Sequence, residues 1–151
     1  MQWIENLERN WATILAEYIF AQHKRVDYPE YDLYSGRWDV LPFLFFEHDK
    51  EGQHLCPKTW ELIKDIPGLV TASFSVLSPG TEIAPHTGFT DKVLRYHLAL
   101  KIPDNCSLIV GGDTLVWEEG KVLVFDDTVE HSAYNNSKEE RVVLILDVKK
   151  S

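Results

Sequence analysis

Cysteine is scarce in this chain: Cys56 and Cys106 are the only two among 151 residues. Two thiols do not make a disulfide framework, so a reducing compartment is the simpler setting. Basic charge is short as well, with 15 Lys and Arg against 24 Asp and Glu and a formal net charge of −9. That balance argues against a nucleic-acid backbone or an anionic membrane surface as partner. Long apolar runs are missing, and the amino terminus, MQWIENLERNWATILAEY, carries charges every few residues, unlike a signal peptide or a membrane span. Internal repeats, low-complexity tracts and linkers are missing too. The expectation is a soluble cytoplasmic protein with a single domain over 1–151. Its 44% apolar and 26% charged residues suffice for a core and a pocket.

The chain divides into a helical lead with a first strand over 1–69 and a β core over 70–148. In the lead, Trp3, Ile4, Leu7, Trp11, Ile14, Leu15 and Tyr18 recur at helical spacing, which predicts one amphipathic helix packed on a sheet. A polar, tyrosine-rich loop follows over 24–36, then a buried strand over 38–46 in which Pro42 marks an edge or a bulge. Pro57 opens a short helix to Lys64, closed by Pro67-Gly68. From residue 70 onward short strands alternate with turns: 70–77, 82–86, 93–102, 107–110, 114–117, 122–125, 131–135 and 142–148. Many short strands with frequent turn signals indicate a β-sandwich or barrel.

Strand parity sorts the polar side chains. Arg95, His97 and Ala99 project together, opposite Leu94, Tyr96, Leu98 and Leu100, whose face must be buried. Arg95 and His97 could then simply meet solvent. Arg141 shares its face with Val143 and Ile145, as in a barrel interior. A guanidinium buried there needs a carboxylate, and a dicarboxylate would supply one by bidentate pairing. His86, in Pro85-His86-Thr87-Gly88, and His131, ending Asp126-Asp127-Thr128-Val129-Glu130-His131, are candidate metal ligands on separate strands. Neutral imidazole suits iron, zinc and copper, and open coordination positions suit iron oxygenase chemistry. The usual acid two residues after the first histidine is absent, because that position is Gly88. An acid placed there could complete a facial triad, so Gly88→Asp is expected to hold iron at or above the wild-type level with lower hydroxylation, or to misfold if the backbone at 88 is closed to other residues. His23, His48 and His54 are expected to be exposed bystanders.

The runs Phe74-Ser75-Val76-Leu77-Ser78-Pro79-Gly80-Thr81, Pro85-His86-Thr87-Gly88 and Leu94-Arg95-Tyr96-His97-Leu98 resemble the aspartyl/asparaginyl β-hydroxylase family. The resemblance continues through Trp117-Glu118-Glu119-Gly120-Lys121-Val122-Leu123-Val124-Phe125-Asp126-Asp127 and Glu130-His131. It closes at Arg141-Val142-Val143-Leu144-Ile145-Leu146-Asp147-Val148, covering about half the chain in order. It implies a mostly β double-stranded β-helix of jelly-roll or cupin type, with N-terminal packing helices. It also implies iron(II), 2-oxoglutarate and dioxygen, with iron held by two histidines and no protein carboxylate, so Gly88 fits the pattern.

Carried over, His86 and His131 resemble the iron ligands, and Arg141 with Ser75 the pair at the distal carboxylate of 2-oxoglutarate. Arg95 and His97 resemble the contacts to its metal-side carboxylate. Trp117-Glu118-Glu119-Gly120 is assigned to a structural turn, and Asp126-Asp127 to shaping the approach to His131. The implied reaction is hydroxylation of a C–H bond, at the β-carbon of Asp or Asn in a peptide or protein, or in a free amino acid or lipid acyl chain. A non-catalytic β-sandwich binding module and a zinc hydrolase are the readings from other classes; the second lacks a motif with a third ligand and a base. Residues 27–37, with Tyr28, Tyr31, Tyr34 and Arg37, form either a substrate-facing loop or a surface loop tucked on the sheet.

Overall fold

Asn10 interrupts the amphipathic lead. In the computed structural model, which describes residues 1–88 and 90–151, α1 (Gln2–Arg9) ends there and α2 (Trp11–Ala21) begins, where the periodicity predicts one helix. The Asn10 side-chain amide donates to the Asn6 carbonyl at 2.7 Å, competing with the backbone for a helical acceptor. Both helices still bury the expected face through Leu7, Ile14 and Tyr18.

The lead holds more strand than its pattern suggests. Besides β3 (Trp38–Phe45) it contains the two-residue pieces β1 (Val26–Asp27), β2 (Tyr34–Ser35) and β4 (His48–Asp49). Stretches this short are below the reach of any periodicity argument. Register shifts between Pro42 and Leu44, the bulge that Pro42 predicts. α3 (Gly52–Leu55) and α4 (Pro57–Ile63) follow, α4 with proline in its first turn.

The β core comprises β5 (Leu69–Leu77), β6 (Thr81–His86), β7 (Val93–Lys101), β8 (Cys106–Val110), β9 (Asp113–Leu115), β10 (Val122–Phe125), β11 (His131–Asn135) and β12 (Arg141–Lys149). One sheet runs β1-β3-β5-β12-β7-β10 with β4 beside β3, and the other β2-β6-β11-β8-β9. Both are antiparallel throughout. Two such sheets with crossed strand order make the expected mostly β jelly roll, with helices packed outside the larger sheet.

Two apolar clusters follow from parity. Tyr96, Leu98, Leu100, Leu144 and Leu146 face outward and bury against Leu7, Ile14, Tyr18 and Ile63 from the helices. Trp38, Leu77, Ala99, Trp117, Phe125 and Val143 face inward between the sheets. Much of the core thus lies outside the barrel, so the interior can hold polar groups without starving the fold of apolar burial. Among the described residues both cysteines are free, and no helix is long and apolar enough to cross a membrane.

Candidate active site

His86 closes β6 and His131 opens β11, and their antiparallel pairing sets the two residues opposite each other. The rings lie 4.4 Å apart, centroid to centroid. Nδ1 of His86 is 2.8 Å from the Ala84 carbonyl, and Nδ1 of His131 is 2.8 Å from the Val129 carbonyl. A carbonyl oxygen only accepts, so Nδ1 carries the proton on both rings and Nε2 keeps its lone pair. Burial, then the neighbouring His86, lowers the His131 pKa and favours the neutral ring that ligates metals. His131 Nε2 is buried without a hydrogen bond and faces Asp127 Oδ1, also without one, at 3.2 Å. Two acceptors at that distance repel unless a cation or a proton stands between them. Among the described residues no group of three His, Cys, Asp or Glu side chains is arranged to hold an ion. The two imidazoles, with Asp127 beside them, are the candidate donors here.

Asp127 is itself held. The Gly88 amide donates to its carbonyl at 2.7 Å, and a Cβ at position 88 would overlap its carboxylate. Arg95 stands on the expected inner face, yet most of its fork is taken by Asp147, through Nε at 2.8 Å and Nη2 at 3.0 Å. Nη1 reaches Asp127 Oδ1 at 3.2 Å. Burial works against the Arg95 charge, and the hydrogen bond and charges of Asp147, with Asp127, more than offset it and raise its pKa. Asp126 instead caps the turn before His131, accepting from the Thr128 amide and hydroxyl at 2.9 and 2.7 Å.

Deeper in the barrel, His97 is buried with Nε2 unpaired, and its Nδ1 accepts from the Trp117 indole at 3.1 Å. Burial first, then the charges of Arg141 and Arg95, holds its pKa well below the usual histidine range. Arg141 is 2% exposed. Its Nη2 donates to the Ser75 carbonyl at 3.1 Å and hydroxyl at 2.9 Å, its Nε has no partner, and its Cζ lies 4.8 Å from the Trp117 ring centroid. No carboxylate among the described residues pairs with it, and burial pushes its pKa down to about 9. Trp38 completes this end by donating its indole N–H to Ser75 Oγ at 2.9 Å.

Contacts link the six predicted residues. His86 pairs with His131, and Phe125 packs on both His131 and His97. Trp117 joins His97 to Arg141 and so to Ser75, and Arg95 meets His131 through Asp127. Trp117 and Trp38 are the additions. β9 ends at Leu115, two residues short of the expected strand over 114–117, so Trp117 lies beyond it. The one signal for it was an indole amid Glu118-Glu119-Gly120, where a large apolar ring has to bury somewhere. Tyr28 stacks on Trp38 with centroids 4.0 Å apart, and burial first, then Glu30, pushes its pKa up to about 12. The loop over 27–37 is thus tucked on the barrel at Tyr28, while Tyr31 stays exposed. A cavity of about 200 Å³ lies beside Arg95, Asp127 and Asp147, lined also by Phe46, Val70, Val93, Lys92 and Lys149. A larger groove of about 530 Å³ along β2, β6 and β11 is lined by none of the site residues. His23, His48 and His54 are exposed, as expected.

Comparison with known proteins agrees. The family described as aspartyl/asparaginyl beta-hydroxylase matches residues 8–151. An ornithine lipid ester-linked acyl 2-hydroxylase of Rhizobium tropici is 34% identical over 158 residues, covering 96% of this chain and 56% of that protein. Human aspartyl/asparaginyl beta-hydroxylase is 33% identical over 156 residues, covering 96% of this chain and 21% of that protein. The chain thus spans little more than half the length of the one relative and about a fifth of the other. Among solved structures, a cupin-like protein from Thermotoga maritima superposes with a TM-score of 0.52 at 14% identity, over 83% of this chain and 78% of that one. That likeness shows the fold alone.

Proposed function

The chain belongs to the aspartyl/asparaginyl β-hydroxylase family, and from that premise we propose that it is an iron(II)- and 2-oxoglutarate-dependent dioxygenase that hydroxylates a C–H bond. One observation carries the reading: Arg141 is enclosed with no carboxylate partner among the described residues, and Trp117, His97 and Phe125 link it to two imidazoles whose Nδ1 is taken by a carbonyl. A lone buried guanidinium is costly, and a bound dicarboxylate relieves it.

His86 and His131 hold the metal through Nε2. Arg141 and Ser75 would bind the far carboxylate of 2-oxoglutarate, and the unpartnered Nε2 of His97 would be available to the near one. Arg95, tethered by Asp147, acts there through Nη1 and holds Asp127 at the approach to His131. Iron and co-substrate, when bound, supply the oxidation of a C–H bond by dioxygen, with succinate and carbon dioxide as co-products. The protein binds, orients and excludes water.

The substrate reading is the β-carbon of Asp or Asn in a peptide or protein, in keeping with the family. A lipid acyl chain is the second reading, favoured by the apolar wall of Phe46, Val70 and Val93 in the cavity beside Arg95 and by the name of the Rhizobium relative. Incubation with Asp- and Asn-bearing peptides and with ester-linked acyl lipids, followed by mass spectrometry for one added oxygen, decides between them. The cofactor reading is tested separately. Anaerobic addition of iron(II) and 2-oxoglutarate should raise a weak visible charge-transfer band. Iron binding without that band would remove 2-oxoglutarate from the reading.

A further inference from the structure

Two buried donors in the barrel share one neighbour. His97 Nε2 and Arg141 Nε both lie in the interior without a partner, and Trp117 contacts both side chains. Resting on the co-substrate site described above, we propose that Trp117 is a positioning residue: its indole N–H locks His97 as an Nε2–H donor, and its ring face holds Arg141 ready for a dicarboxylate.

An indole nitrogen can only donate. At 3.1 Å from His97 Nδ1 it requires a lone pair there, so the His97 proton sits on Nε2. This is the opposite tautomer to His86 and His131, whose Nδ1–H groups go to backbone carbonyls. Neighbours therefore sort three imidazoles into two roles. Two offer a lone pair at Nε2, as a metal needs, and the third offers an N–H, as a carboxylate oxygen needs. With the other tautomer, His97 would set a lone pair against the co-substrate. Phe125 packs against both His97 and His131, with centroids 5.2 and 5.1 Å away, and spaces the two roles apart.

The second contact acts on Arg141. A guanidinium 4.8 Å from a ring centroid is within cation–π range, which steadies the charge when no anion is present. Trp117 is in turn anchored by its turn, where the Lys121 amide donates to Glu118 at 2.9 Å and the Gly120 amide to the Ala99 carbonyl at 2.8 Å. Gly120 takes φ +85°, and a Cβ there would press the Trp11 indole at 3.0 Å. The turn is thereby strapped to β7 beside His97.

The test is long-range proton–nitrogen NMR of the imidazoles in ¹⁵N-labelled, metal-free protein. Wild type should show His97 as the Nε2–H tautomer. Replacing Trp117 with benzothienylalanine keeps the bicyclic ring and removes only the N–H, and should abolish that preference. The apparent KM for 2-oxoglutarate should then rise roughly tenfold, the scale of one buried hydrogen bond, with kcat changed less than about twofold. Trp117→Phe, checked for folding by its amide spectrum, should do the same and further raise the KM by weakening the support of Arg141. Nδ1–H on His97 in wild type, or a benzothienyl variant that keeps both the tautomer and the KM, overturns the proposal. Because the tautomer is read without metal or co-substrate, an Nε2–H His97 in a protein that never binds 2-oxoglutarate would overturn the functional reading while supporting the lock.

Discussion

Gly88 gives its amide to the Asp127 carbonyl at 2.7 Å, and the Asp127 carboxylate fills the space that a side chain at 88 would need. The position that lacks an acid in sequence is thus backed by an acid from the other side of the barrel mouth. The expectation that an acid at 88 keeps iron at or above the wild-type level meets this contact. Gly88→Asp would drive two carboxylates into one volume. Overpacking of this kind costs about 1–3 kcal/mol before charge repulsion is counted. Gly88→Asp should therefore melt earlier than wild type and bind iron(II) more weakly, and Gly88→Asp with Asp127→Gly should recover most of the melting temperature. Wild-type stability in the single mutant would show that Asp127 swings out freely.

His86→Ala and His131→Ala should each abolish iron-dependent succinate formation in protein that still folds. Among the described residues, these two paired rings each have Nδ1 taken by a backbone carbonyl, and losing either leaves a single anchor for the metal. Iron titration and a succinate assay check this. Full turnover in either variant would remove that residue from the metal site.

Arg141→Ala should raise the requirement for 2-oxoglutarate far more than that for iron. Removing one partner of a buried charge pair costs roughly 2–5 kcal/mol, so the change should exceed about tenfold. Without an anion, the variant is also relieved of a costly buried guanidinium, so its metal-free form should be no less stable than expected for a cavity alone. An equal shift in the iron requirement, with 2-oxoglutarate unmoved, would disprove the anion assignment.

Parity made much of this legible in the sequence. The alternation in 94–100 separated Arg95 and His97 from the leucine face, and the structure keeps that separation, with leucines against the helices and His97 inside. The same rule put Arg141 beside Val143 in the interior. What parity could not reach was anything set by tertiary contact. Trp117 leaves its strand after Leu115 and folds back over Arg141, a path fixed by the Gly120–Ala99 bond across the sheet. The neighbour of Asp127 is Arg95, 32 positions earlier in the chain, and its pairing exists only once β10 lies beside β7. The break at Asn10 was local and readable in principle, since an asparagine amid a helical pattern competes for backbone acceptors. The apolar periodicity simply continues across it.

His97 ties the site to stability, and its pH dependence has a definite sign. In the fold it is neutral, its pKa held well below the usual range by burial and by the nearby arginines. In the unfolded chain it titrates near about 6.5. Between those values the unfolded state binds more protons, so lowering the pH favours unfolding. The stability contributed by a neutral His97 is fully present above about pH 6.5 and falls by about 1.4 kcal/mol for each pH unit below it, until the folded pKa is reached. His131, also lowered, adds in the same direction. Metal-free protein should therefore melt markedly lower at pH 5.5 than at pH 7.5. His97→Gln, which keeps a polar side chain that does not titrate, should show a shallower slope over that range. Parallel slopes in the two proteins would mean that His97 does not stay neutral in the fold.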